Sequence, residues 1–388
     1  MRILVASHGY PPTVSGVTIV AQKLARAMVA RGHDVAVITA SERKEAYSDE
    51  DGGVRLIRVR SRNNPFWAEG PIPYISYNEL EEIVDNFRPD VLHTHETALL
   101  ALQFTRYCQQ NGLPLLASCH YVPRFVVRYL SGDTAADSGP IESLVWAYSI
   151  WLLNRCDHVV FATPTHRRFF LEQGLKTPTT IISNGVDTSR YKPLNGQDED
   201  IERRYDLPVG PRALFVGRLA KDKKIDVLIR AMNHIPAELN VYLLLVGRGD
   251  DRKRLEELCD DLGLQDRVRF LGFVPEEDMP GLFRVADLFV ISSTYEVQSL
   301  PTLQAMATGL PVVAANALAL PELVSDGVSG HLVPPDDAYA MGQAMSCVLS
   351  DRHLAERMGQ AGWAVSQAHA EQRTFDAYEA LYCDLMGR

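Results

Sequence analysis

Short apolar runs alternate with longer amphipathic stretches along the whole chain. Each run is apolar at successive positions, and the residues that separate it from the next run are numerous enough to form a helix. In the first half the runs are RILVAS (2–7), DVAVITA (34–40), DVLHTH (90–95), LPLLAS (113–118) and HVVFAT (158–163). In the second half they are ALFVG (213–217), VYLLLVG (241–247), VRFLG (268–272), DLFVIS (287–292) and PVVAA (311–315). Such runs indicate parallel strands buried on both faces, so the pattern predicts two doubly wound α/β domains.

The boundary between the two predicted domains lies in NGVDTSRYKPLNGQDEDIERRYDLP (184–208), where turn residues and an acidic cluster interrupt the apolar pattern. We therefore predict an N-terminal Rossmann-like domain over 1–190 and a C-terminal Rossmann-like domain over 191–369. The last periodic stretch predicts a helix over 370–388, which we expect to join the N-terminal domain. A chain of 388 residues is long enough for two such cores.

Composition narrows the classes of function. The chain is 46% hydrophobic and 23% charged, as in ordinary globular proteins, and its net charge is −10. The first 190 residues contain 19 Lys or Arg and 19 Asp or Glu, so the acidic excess belongs entirely to the remainder. This balance argues against a nucleic-acid partner, and it leaves the first domain as the better face for an anionic membrane.

Three features that the sequence lacks bear on the location of the protein, on disulfides and on metal binding. No basic and apolar leader precedes the first strand, and no apolar run reaches membrane-spanning length, so we expect a cytoplasmic protein. The six cysteines are widely spaced, which predicts neither a disulfide framework nor a cysteine metal site. The acidic runs SDED (48–51) and DED (198–200) follow no predicted strand, so we expect solvated loops there and no required metal.

Candidate chemistry follows from the position of residues directly after strands, because ligands of doubly wound sheets bind beyond the carboxyl ends of the strands. We expect the loops of two facing domains to share one cleft. In the first domain, a Pro/Gly loop enters a helix near Gly16, where free backbone N–H groups suit an anion or a polar sugar. His120 would bond a sugar hydroxyl or carry a proton near neutral pH. The alternatives are a plain turn and a structural histidine, and His93 and His95 stay unassigned.

In the second domain, Arg218 and Lys223 follow the first strand. Two cations on such a tight connection can reach one diphosphate and neutralise the charge that develops as it leaves. The alternative is that both are solvated surface cations.

The stretch YEVQSLPTLQAMATGLPVVA (295–314) supplies a second element of this domain. Glu296 lies on the loop after a strand and can accept hydrogen bonds from sugar hydroxyls. The N–H groups around Ser299 and Leu300 open a helix and suit a phosphate, while Gln304 on that helix can bond a ribose. The alternative is an exposed Glu296 and a surface Gln304.

Taken in order, these segments resemble the retaining GT-B glycosyltransferases that use nucleotide-sugars. The resemblance spans nearly the whole chain and rests on YPPTVSGVTIVAQKLARAMVARGHDVAVIT, RPDVLHTH, ISNGVDTSRYKP, VGRLAKDKKIDVLI, LLLVGRGD, VRFLGFVP, EVQSLPTLQAMATGLPVVA and LPELVSDGVSGHLVPPDD. It implies a GT-B fold of two Rossmann-like domains, in which the N-terminal domain (1–190) binds the acceptor and the C-terminal domain (191–369) binds the nucleotide-sugar. It also implies metal-independent transfer of a hexose from a UDP- or GDP-sugar with retention at the anomeric carbon. Attack would come from the face that the diphosphate leaves.

The resemblance also implies roles for individual residues. Glu296 would contact the donor sugar, position 304 the nucleotide ribose, and Arg218 with Lys223 the diphosphate. His120 matches the family's cleft histidine and Gly16 its glycine loop. The resemblance therefore implies that the catalytic residues are His120, Glu296, Arg218 and Lys223. It implies that the donor is bound by Gly16, Arg218, Lys223, Glu296, Ser299, Leu300 and Gln304.

Three positions depart from the family pattern. Gln304 replaces its second glutamate, Ser15 the first glycine of its usual pair, and Lys224 a common glycine. An amide keeps the acceptor but loses a charge-assisted bond, which costs on the order of 1 kcal/mol. We expect an active enzyme with altered donor affinity; the alternatives are a non-catalytic nucleotide-sugar-binding protein with a decayed site and a GT-B nucleotide-sugar epimerase.

The acceptor is expected to be a membrane lipid such as diacylglycerol, or a sugar of a cell-envelope precursor. HTHETALLALQFTRY and SCHYVPRFVVRYL are similar to segments of diacylglycerol glucosyltransferases. Residues 121–156 combine arginines with aromatics, namely Arg124, Arg128, Trp146, Tyr148 and Trp151. Such a mixture suits peripheral contact with the inner face of a membrane, and the alternative is an ordinary buried helix.

Overall fold

The structure is a computed structural model that describes residues 1–13, 15–63, 70–124, 127, 139–193 and 199–387. The chain forms two compact units, which we call unit 1 and unit 2. Unit 1 contains Met1–Ser183 and Thr374–Arg388, and unit 2 contains Asn184–Arg373. These limits differ by a few residues from the predicted boundaries after 190 and 369.

Unit 1 is built on an eight-stranded sheet with the strand order β10-β9-β8-β7-β1-β2-β4-β3. The strands of this sheet are β1 (Arg2–Ala6), β2 (Asp34–Ala40), β3 (Tyr47–Asp51), β4 (Val54–Val59), β7 (Val91–Thr94), β8 (Leu115–Cys119), β9 (His158–Phe161) and β10 (Thr179–Ile181). All neighbours pair in parallel except β3 and β4, which are antiparallel. Two short strands, β5 (Ser61–Arg62) and β6 (Ile72–Pro73), pair separately.

One prediction, that of a loop at 48–51, is wrong, because this segment is a strand at the edge of the sheet. The run SDED (48–51), expected to be a loop, lies in β3, and its residues are exposed or half-buried. Because β3 pairs with β4 along one side only, it buries little apolar surface, and its sequence lacks the apolar run that marks a central strand. In unit 2 the described part of the second acidic run, residues 199–200, begins a short helix rather than a loop.

The helices of unit 1 cover both faces of the sheet. They include α1 (Gly16–Ala30), α2 (Tyr77–Phe87), α3 (Leu99–Asn111), α4 (Gly139–Leu153) and α5 (Pro164–Glu172). One apolar cluster joins β7 and β8 to α2 and α3 through residues such as Leu92 and Phe104, and the other joins β1 and β2 to α1 through Leu24 and Met28. The serine N-caps Ser15 and Ser76 start α1 and α2 with a capping box each.

Unit 2 contains a six-stranded, fully parallel sheet with the order β13-β12-β11-β14-β15-β16. Its strands are β11 (Arg212–Val216), β12 (Tyr242–Val246), β13 (Val268–Gly272), β14 (Leu288–Ile291), β15 (Val312–Ala315) and β16 (Gly330–Val333). The first five were predicted, whereas β16 at the sheet edge was not. The reversal of chain order beside β11 is the switch point at which such sheets bind ligands.

Eight helices flank this sheet in the described part of unit 2. They are α6 (Glu199–Arg204), α7 (Ile225–Ala231), α8 (Arg252–Asp261), α9 (Met279–Arg284), α10 (Leu300–Ala307), α11 (Leu320–Leu323), α12 (Ala338–Ser350) and α13 (Arg352–Ala368). Two apolar clusters fill the two faces, one around Phe283 and Phe289 and the other around Phe215 and Leu243. Both faces of the sheet are therefore dry, as the continuous apolar strands require.

The last helix, α14 (Glu371–Leu385), packs on the core of unit 1. Its residues Phe375, Tyr378 and Tyr382 lie in the same cluster as Ile3 and Val37 of the sheet. Arg31 donates to Glu379 over 2.6 Å and to Asp376 over 2.5 Å on the rim of this contact. No helix in the described ranges combines the length and the apolarity needed to cross a bilayer.

Candidate active site

The turn after β11 carries the two predicted cations of unit 2. Lys221–Lys223 form one 3-10 turn, and Lys224 after them has a left-handed backbone with φ +53°. The hydroxyl of Ser292, at the end of β14, donates to the carbonyl of Lys223 over 2.9 Å and to that of Lys224 over 2.7 Å. The turn is thereby fixed to the neighbouring strand, which sets the direction of the Lys223 side chain.

Lys224 occupies the position where the family pattern has glycine, and the backbone explains that pattern. A side chain in the left-handed region costs about 1 kcal/mol, which glycine does not incur. The Lys224 ammonium forms an ion pair with Asp336, with 3.0 Å between Nζ and Oδ1.

Lys223 and Glu296 form an ion pair although 73 positions separate them in sequence. The Lys223 ammonium donates to Glu296 Oε1 over 2.7 Å, and the side chains are 18% and 14% exposed. Burial alone would lower the pKa of Lys223, but attraction to Glu296 and Asp222 outweighs it, so this pKa is raised. Lys223 is therefore a permanent cation at neutral pH.

Arg218 lies on the same connection as Lys223. Its guanidinium is 3.3 Å from Asp222 Oδ1, and both side chains are 34% exposed. The structure thus brings Lys223 and Glu296 into direct contact and places Arg218 four residues before the acidic neighbour that it shares with Lys223.

The start of α10 provides backbone donors in unit 2. Ser299 caps the helix and accepts from the Thr302 amide over 3.3 Å, while Pro301 has no amide hydrogen to offer. Among the described residues, the amides of Ser299 and Leu300 find no acceptor, and they lie at the positive end of the helix dipole. Gln304 is half-buried, and its side chain makes no hydrogen bond within the described part of the chain.

Gly247 and Gly249, which were not predicted as site residues, shape the same loops. Gly247, after β12, has φ +137°, and an added Cβ would lie 1.8 Å from the Gly217 carbonyl oxygen. An added Cβ on Gly249 would lie 2.1 Å from the carbonyl oxygen of Leu219. The loops after β11 and β12 therefore touch backbone to backbone, which only glycine permits. The motif GRGD, which follows an apolar run, could have indicated both glycines from the sequence.

In unit 1, Gly16 is the first residue of α1, directly after the N-cap Ser15. The Ser15 hydroxyl accepts from the Thr18 amide over 3.3 Å, and the Thr18 hydroxyl accepts from the Ser15 amide over 2.8 Å. No heavy atom of the described chain outside its own neighbourhood lies within 4 Å of a Cβ added to Gly16. Open space beside the start of α1 is what the approach of a ligand to this backbone needs.

His120 follows β8 and stacks on His95, which follows β7. The ring centroids are 5.1 Å apart, and His120 Nε2 is 2.9 Å from His95 Nδ1. Burial, with repulsion from His166, lowers the pKa of His120 to about 3. The imidazole is therefore neutral near pH 7, a form that can bond a sugar hydroxyl.

His93 and His95 have different environments. His93 is saturated, because its Nδ1 is 2.7 Å from the Tyr382 hydroxyl and its Nε2 is 2.8 Å from Ser118 Oγ. This places His93 among the structural contacts of α14. His95 is buried, but its Nε2 has no hydrogen-bond partner among the described residues.

Glu96 and His8 complete the polar group at this edge of unit 1 and were missed from sequence. Glu96 is 9% exposed, and burial raises its pKa to about 7, although the amides of Ala101 and Leu100 at the start of α3 donate to it. Its second oxygen, Oε2, lies 3.8 Å from His8 Nδ1. Each residue stands within two positions of the end of a strand, so the rule that selected His120 could have found both.

The expected membrane region is only partly described. Arg128 lies outside the described residues, as do 125–126 and 129–138. On α4 four large side chains at helical spacing are exposed, namely Ile141, Leu144, Tyr148 and Trp151. Its other side packs into unit 1, because Leu152 and Leu153 are buried. Among the described residues, no group of three metal-ligating side chains occurs.

Two doubly wound α/β units, with charged residues and helix starts at the carboxyl ends of their strands, are the architecture of the GT-B glycosyltransferases. The solved structure of a sucrose-phosphate synthase from Thermosynechococcus elongatus has this architecture. It matches with a TM-score of 0.84 and 25% identity, over 100% of this chain and 99% of that one. The fold class predicted from the sequence is confirmed.

Family comparisons agree with the fold. Residues 14–190 match the model for Glycosyltransferase Family 4, and residues 198–364 match that for Glycosyl transferases group 1. An uncharacterized glycosyltransferase of Methanocaldococcus jannaschii is 30% identical over 366 residues, which are 90% of each chain. The alpha-monoglucosyldiacylglycerol synthase of Streptococcus pneumoniae is 26% identical, over 86% of this chain and 75% of that protein. The chain belongs to the group 1 glycosyltransferases, as its motifs predicted.

Proposed function

We propose that the protein is a retaining hexosyltransferase that moves a hexose from a UDP- or GDP-sugar to an acceptor hydroxyl. The observation that carries the proposal is the Lys223–Glu296 ion pair at the switch point of unit 2. A fixed cation and a carboxylate held 2.7 Å apart can serve the two halves of a nucleotide-sugar, since one half is anionic and the other rich in hydroxyls.

In this proposal the diphosphate binds Lys223 and Arg218 together with the amides at the start of α10. The two cations stabilise the charge that develops on the leaving diphosphate, the task for which many enzymes use a metal ion. We therefore expect transfer to need no added divalent metal. The test is to compare initial rates with 5 to 10 mM EDTA and with added Mg²⁺; loss of activity in EDTA that Mg²⁺ restores would refute metal independence.

Glu296 and Gln304 would contact the sugar and the ribose. Glu296 accepts from sugar hydroxyls while its other oxygen keeps Lys223 in place. The Gln304 side chain is half-buried and has no partner in the described chain, so its amide is available to a ribose hydroxyl. An amide in place of a carboxylate weakens such a bond by about 1 kcal/mol, which lowers donor affinity without abolishing it.

His120 would bond the transferred sugar as a neutral imidazole, since its pKa of about 3 excludes a charged ring. Retention follows if the acceptor attacks from the face that the diphosphate leaves. The relative named for an alpha-monoglucosyl product supports this stereochemistry. NMR of the first product formed from an α-linked donor decides it, because a β-linked product would contradict retention.

A lipid acceptor is the finer part of the proposal. Its support is the relative named for diacylglycerol and the exposed apolar stripe of α4, where the Arg155 guanidinium lies 4.0 Å from the Trp151 ring. We expect binding to vesicles that contain anionic lipid, weakened by Leu144→Ser and unchanged by Leu171→Ser on α5, a matched exposed leucine. Equal vesicle binding by Leu144→Ser and Leu171→Ser would show that α4 does not contact the membrane.

The first experiment is a thermal-shift screen against UDP-, GDP- and ADP-sugars. Ligand at about 100 times its dissociation constant stabilises a protein by roughly 2.7 kcal/mol. We expect a shift for one nucleotide class that is lost in Arg218→Ala and kept in Arg230→Ala, which removes a cation at the end of α7. Transfer is then measured with that class of donor, using diacylglycerol vesicles and soluble hexoses. The absence of any shift would contradict the proposal.

A non-catalytic nucleotide-sugar-binding protein is the second candidate, and the amide at position 304 favours it. Gln304→Glu separates the two. Turnover that appears only in this variant would identify a decayed site, whereas turnover in the wild type that changes little shows that the amide belongs to a working one.

A further inference from the structure

The two ring nitrogens of His95 have different surroundings. Nδ1 is 2.9 Å from His120 Nε2, whereas Nε2 is buried and has no hydrogen-bond partner in the described chain. Both histidines stand directly after adjacent strands, β7 and β8, at the carboxyl ends where doubly wound sheets bind ligands. Buried polar atoms are nearly always satisfied, so the unpartnered Nε2 of His95 limits where the hydrogens of this pair can be.

The His95 ring is held in one orientation by its neighbours. Its backbone amide donates to the Ala6 carbonyl of β1 over 2.8 Å. The imidazole packs against the rings of His93 and His120, with centroids 4.2 Å and 5.1 Å away. His93 is itself fixed, because both of its ring nitrogens are in hydrogen bonds. A ring packed on both sides does not exchange the places of its nitrogens, so Nε2 of His95 stays buried.

The hydrogen bond between His95 and His120 can be made in two ways. Burial lowers the pKa of both rings, so each is neutral near pH 7 and carries one hydrogen. If His95 donates from Nδ1, its Nε2 is a bare lone pair. If His120 donates from Nε2, the hydrogen of His95 is on Nε2, and an N–H group is buried without an acceptor. Buried N–H groups without a partner are rarer in proteins than acceptors without one, which favours donation by His95.

We propose that His95 is the positioning residue that fixes the tautomer of His120, so that His120 donates a hydrogen bond from Nδ1 to an oxygen of the sugar. This inference rests on the proposed glycosyl transfer and defines what His120 recognises. Because His120 Nε2 accepts from His95, the one hydrogen of the His120 ring is on Nδ1. Within the described chain Nδ1 of His120 makes no hydrogen bond and is not among the buried atoms, so a ligand can reach it.

A hydrogen-bond donor at this position recognises the lone pair of a sugar substituent and not its hydrogen. A hydroxyl supplies such a lone pair, and fluorine supplies a weaker one, although fluorine cannot donate a hydrogen bond. A hydrogen atom on the same carbon supplies none. If His120 were an acceptor instead, fluorine would be no better than hydrogen. Deoxy and deoxyfluoro sugars therefore separate the two tautomers of His120 from the side of the ligand.

The tautomer is measured directly in the wild type, without any assumption about activity. Proton–nitrogen correlation spectra of protein with isotope-labelled histidine, recorded at pH 8, show which ring nitrogen of each histidine carries the hydrogen. The variant His120→Asn identifies the signals of His120 by their loss, and His95→Asn identifies those of His95. We expect the hydrogen on Nδ1 in both residues. A hydrogen on Nε2 of His120 would overturn the inference.

Variants of His95 test whether the tautomer matters for the reaction. His95→Phe keeps a flat ring without a donor, and we expect kcat/KM for the nucleotide-sugar to fall roughly 20-fold. His95→Asn can donate from its amide nitrogen and should stay within about threefold of wild type. His158→Phe is the matched control, because it removes a half-buried histidine that bonds Thr180 over 2.8 Å at the amino end of β9. Equal activity of His95→Phe and His158→Phe would show that His95 is only structural.

Binding of modified donors tests the direction of the bond. Monodeoxy and deoxyfluoro forms of the preferred donor are titrated into wild type and His120→Ala. At one sugar position we expect the deoxy form to bind the wild type about tenfold more weakly and the fluoro form about threefold, with no difference between them in His120→Ala. Equal weakening by both forms at every position would overturn the inference. If no nucleotide-sugar binds the wild type, the proposed function fails, whereas the spectra still report the tautomer.

Discussion

In both units polar residues lie beyond the carboxyl ends of the strands, but the lysine of unit 2 is charged and the histidines of unit 1 are neutral. At the end of β11 in unit 2, Lys223 meets Glu296, and this pairing raises the pKa of the lysine in spite of burial. At the ends of β7 and β8 in unit 1, His95 and His120 meet each other, and burial lowers the pKa of both. Burial alone does not decide the charge of a strand-end site; the sign of its neighbour does.

The difference suits two kinds of ligand. A diphosphate is fully charged at neutral pH and is matched by cations whose charge is constant. A hydroxyl is neutral and is matched by groups that can exchange donor and acceptor roles, as neutral histidines do. We expect the pH sensitivity of this enzyme to originate in unit 1, and the following predictions aim to break or sharpen that contrast.

Glu296→Ala should have the largest effect. In the proposed site it removes the contact to the donor sugar, and it leaves Lys223 without its main partner, so we expect kcat/KM to fall on the order of 10³-fold. Steady-state kinetics with saturating acceptor measure the loss. Glu276→Ala, which removes an exposed carboxylate of the same unit, serves as control. A loss of less than tenfold would mean that the ion pair is not part of the donor site.

Glu96→Gln should change how stability depends on pH. The folded-state pKa of Glu96 is raised to about 7 from 4.5, so below pH 4.5 the residue is protonated in both states. As the pH rises through this window, the unfolded state gains a charge that the folded state resists, and the wild type loses on the order of 3 kcal/mol. The variant avoids this loss. The buried neutral histidines of unit 1 give the opposite trend, because they make the folded state less stable as the pH falls below 6.5. The stability of the variant is therefore compared with that of the wild type at pH 5 and again at pH 8.

Hydrogen exchange of the backbone amides of β7, corrected for intrinsic exchange rates, measures the stability of unit 1 in the variant and in the wild type. The protection of the variant relative to wild type should be greater at pH 8 than at pH 5. An identical ratio at both pH values would show that Glu96 does not titrate in this range.

Arg218→Ala tests the constant charge of unit 2. Removing one of two cations near a diphosphate should weaken nucleotide-sugar binding by about 2 kcal/mol, roughly 30-fold, and equally at pH 6 and pH 8. Isothermal titration with the preferred donor supplies both constants. A pH-dependent loss would contradict the assignment of pH sensitivity to unit 1.

Gln304→Glu should have the smallest effect. A carboxylate restores a charge-assisted bond to a ribose hydroxyl, and we expect donor binding about fivefold tighter, or roughly 1 kcal/mol. The same titration with a donor that lacks the ribose 2′- and 3′-hydroxyls is the control, since it should show no gain. Weaker donor binding by Gln304→Glu would contradict a contact between the Gln304 side chain and the ribose.

The sequence predicted most strands of both sheets, and the strands that it missed lack a long continuous apolar run. Strands such as β1 and β12 are buried on both faces, so their apolar runs predict them directly. The edge strand β13 was also predicted, whereas β3, β10 and β16 at sheet edges were missed, as was the interior strand β4, in which arginines interrupt the apolar residues. The cations and carboxylate of unit 2 were selected because they follow strands. Their pairing joins residues 73 positions apart and was not predicted, because only the folded sheet brings β11 and β14 together.

Unit 1 shows the other limit of sequence reasoning. His120 was selected and His95 left aside, although the two rings stack. Glu96 was not selected at all, because a glutamate after a strand usually indicates an ionised surface residue. Its exposed fraction of 9% and its raised pKa depend on packing by α3 and by residues distant in sequence. A protonation state is a tertiary property, and no local pattern reports it.

The placement of α14 has a consequence for how the protein is made. Ribosomes synthesise the chain from its first residue, and domains generally fold as units during synthesis. Here the sheet of unit 1 is translated before unit 2, but Phe375, Tyr378 and Tyr382, which fill one side of its core, are translated after unit 2. Unit 1 must therefore wait with an open apolar face while all of unit 2 is made. Completion of unit 1 depends on a helix that is made after unit 2, so nascent chains stalled before residue 374 should bind chaperones through unit 1.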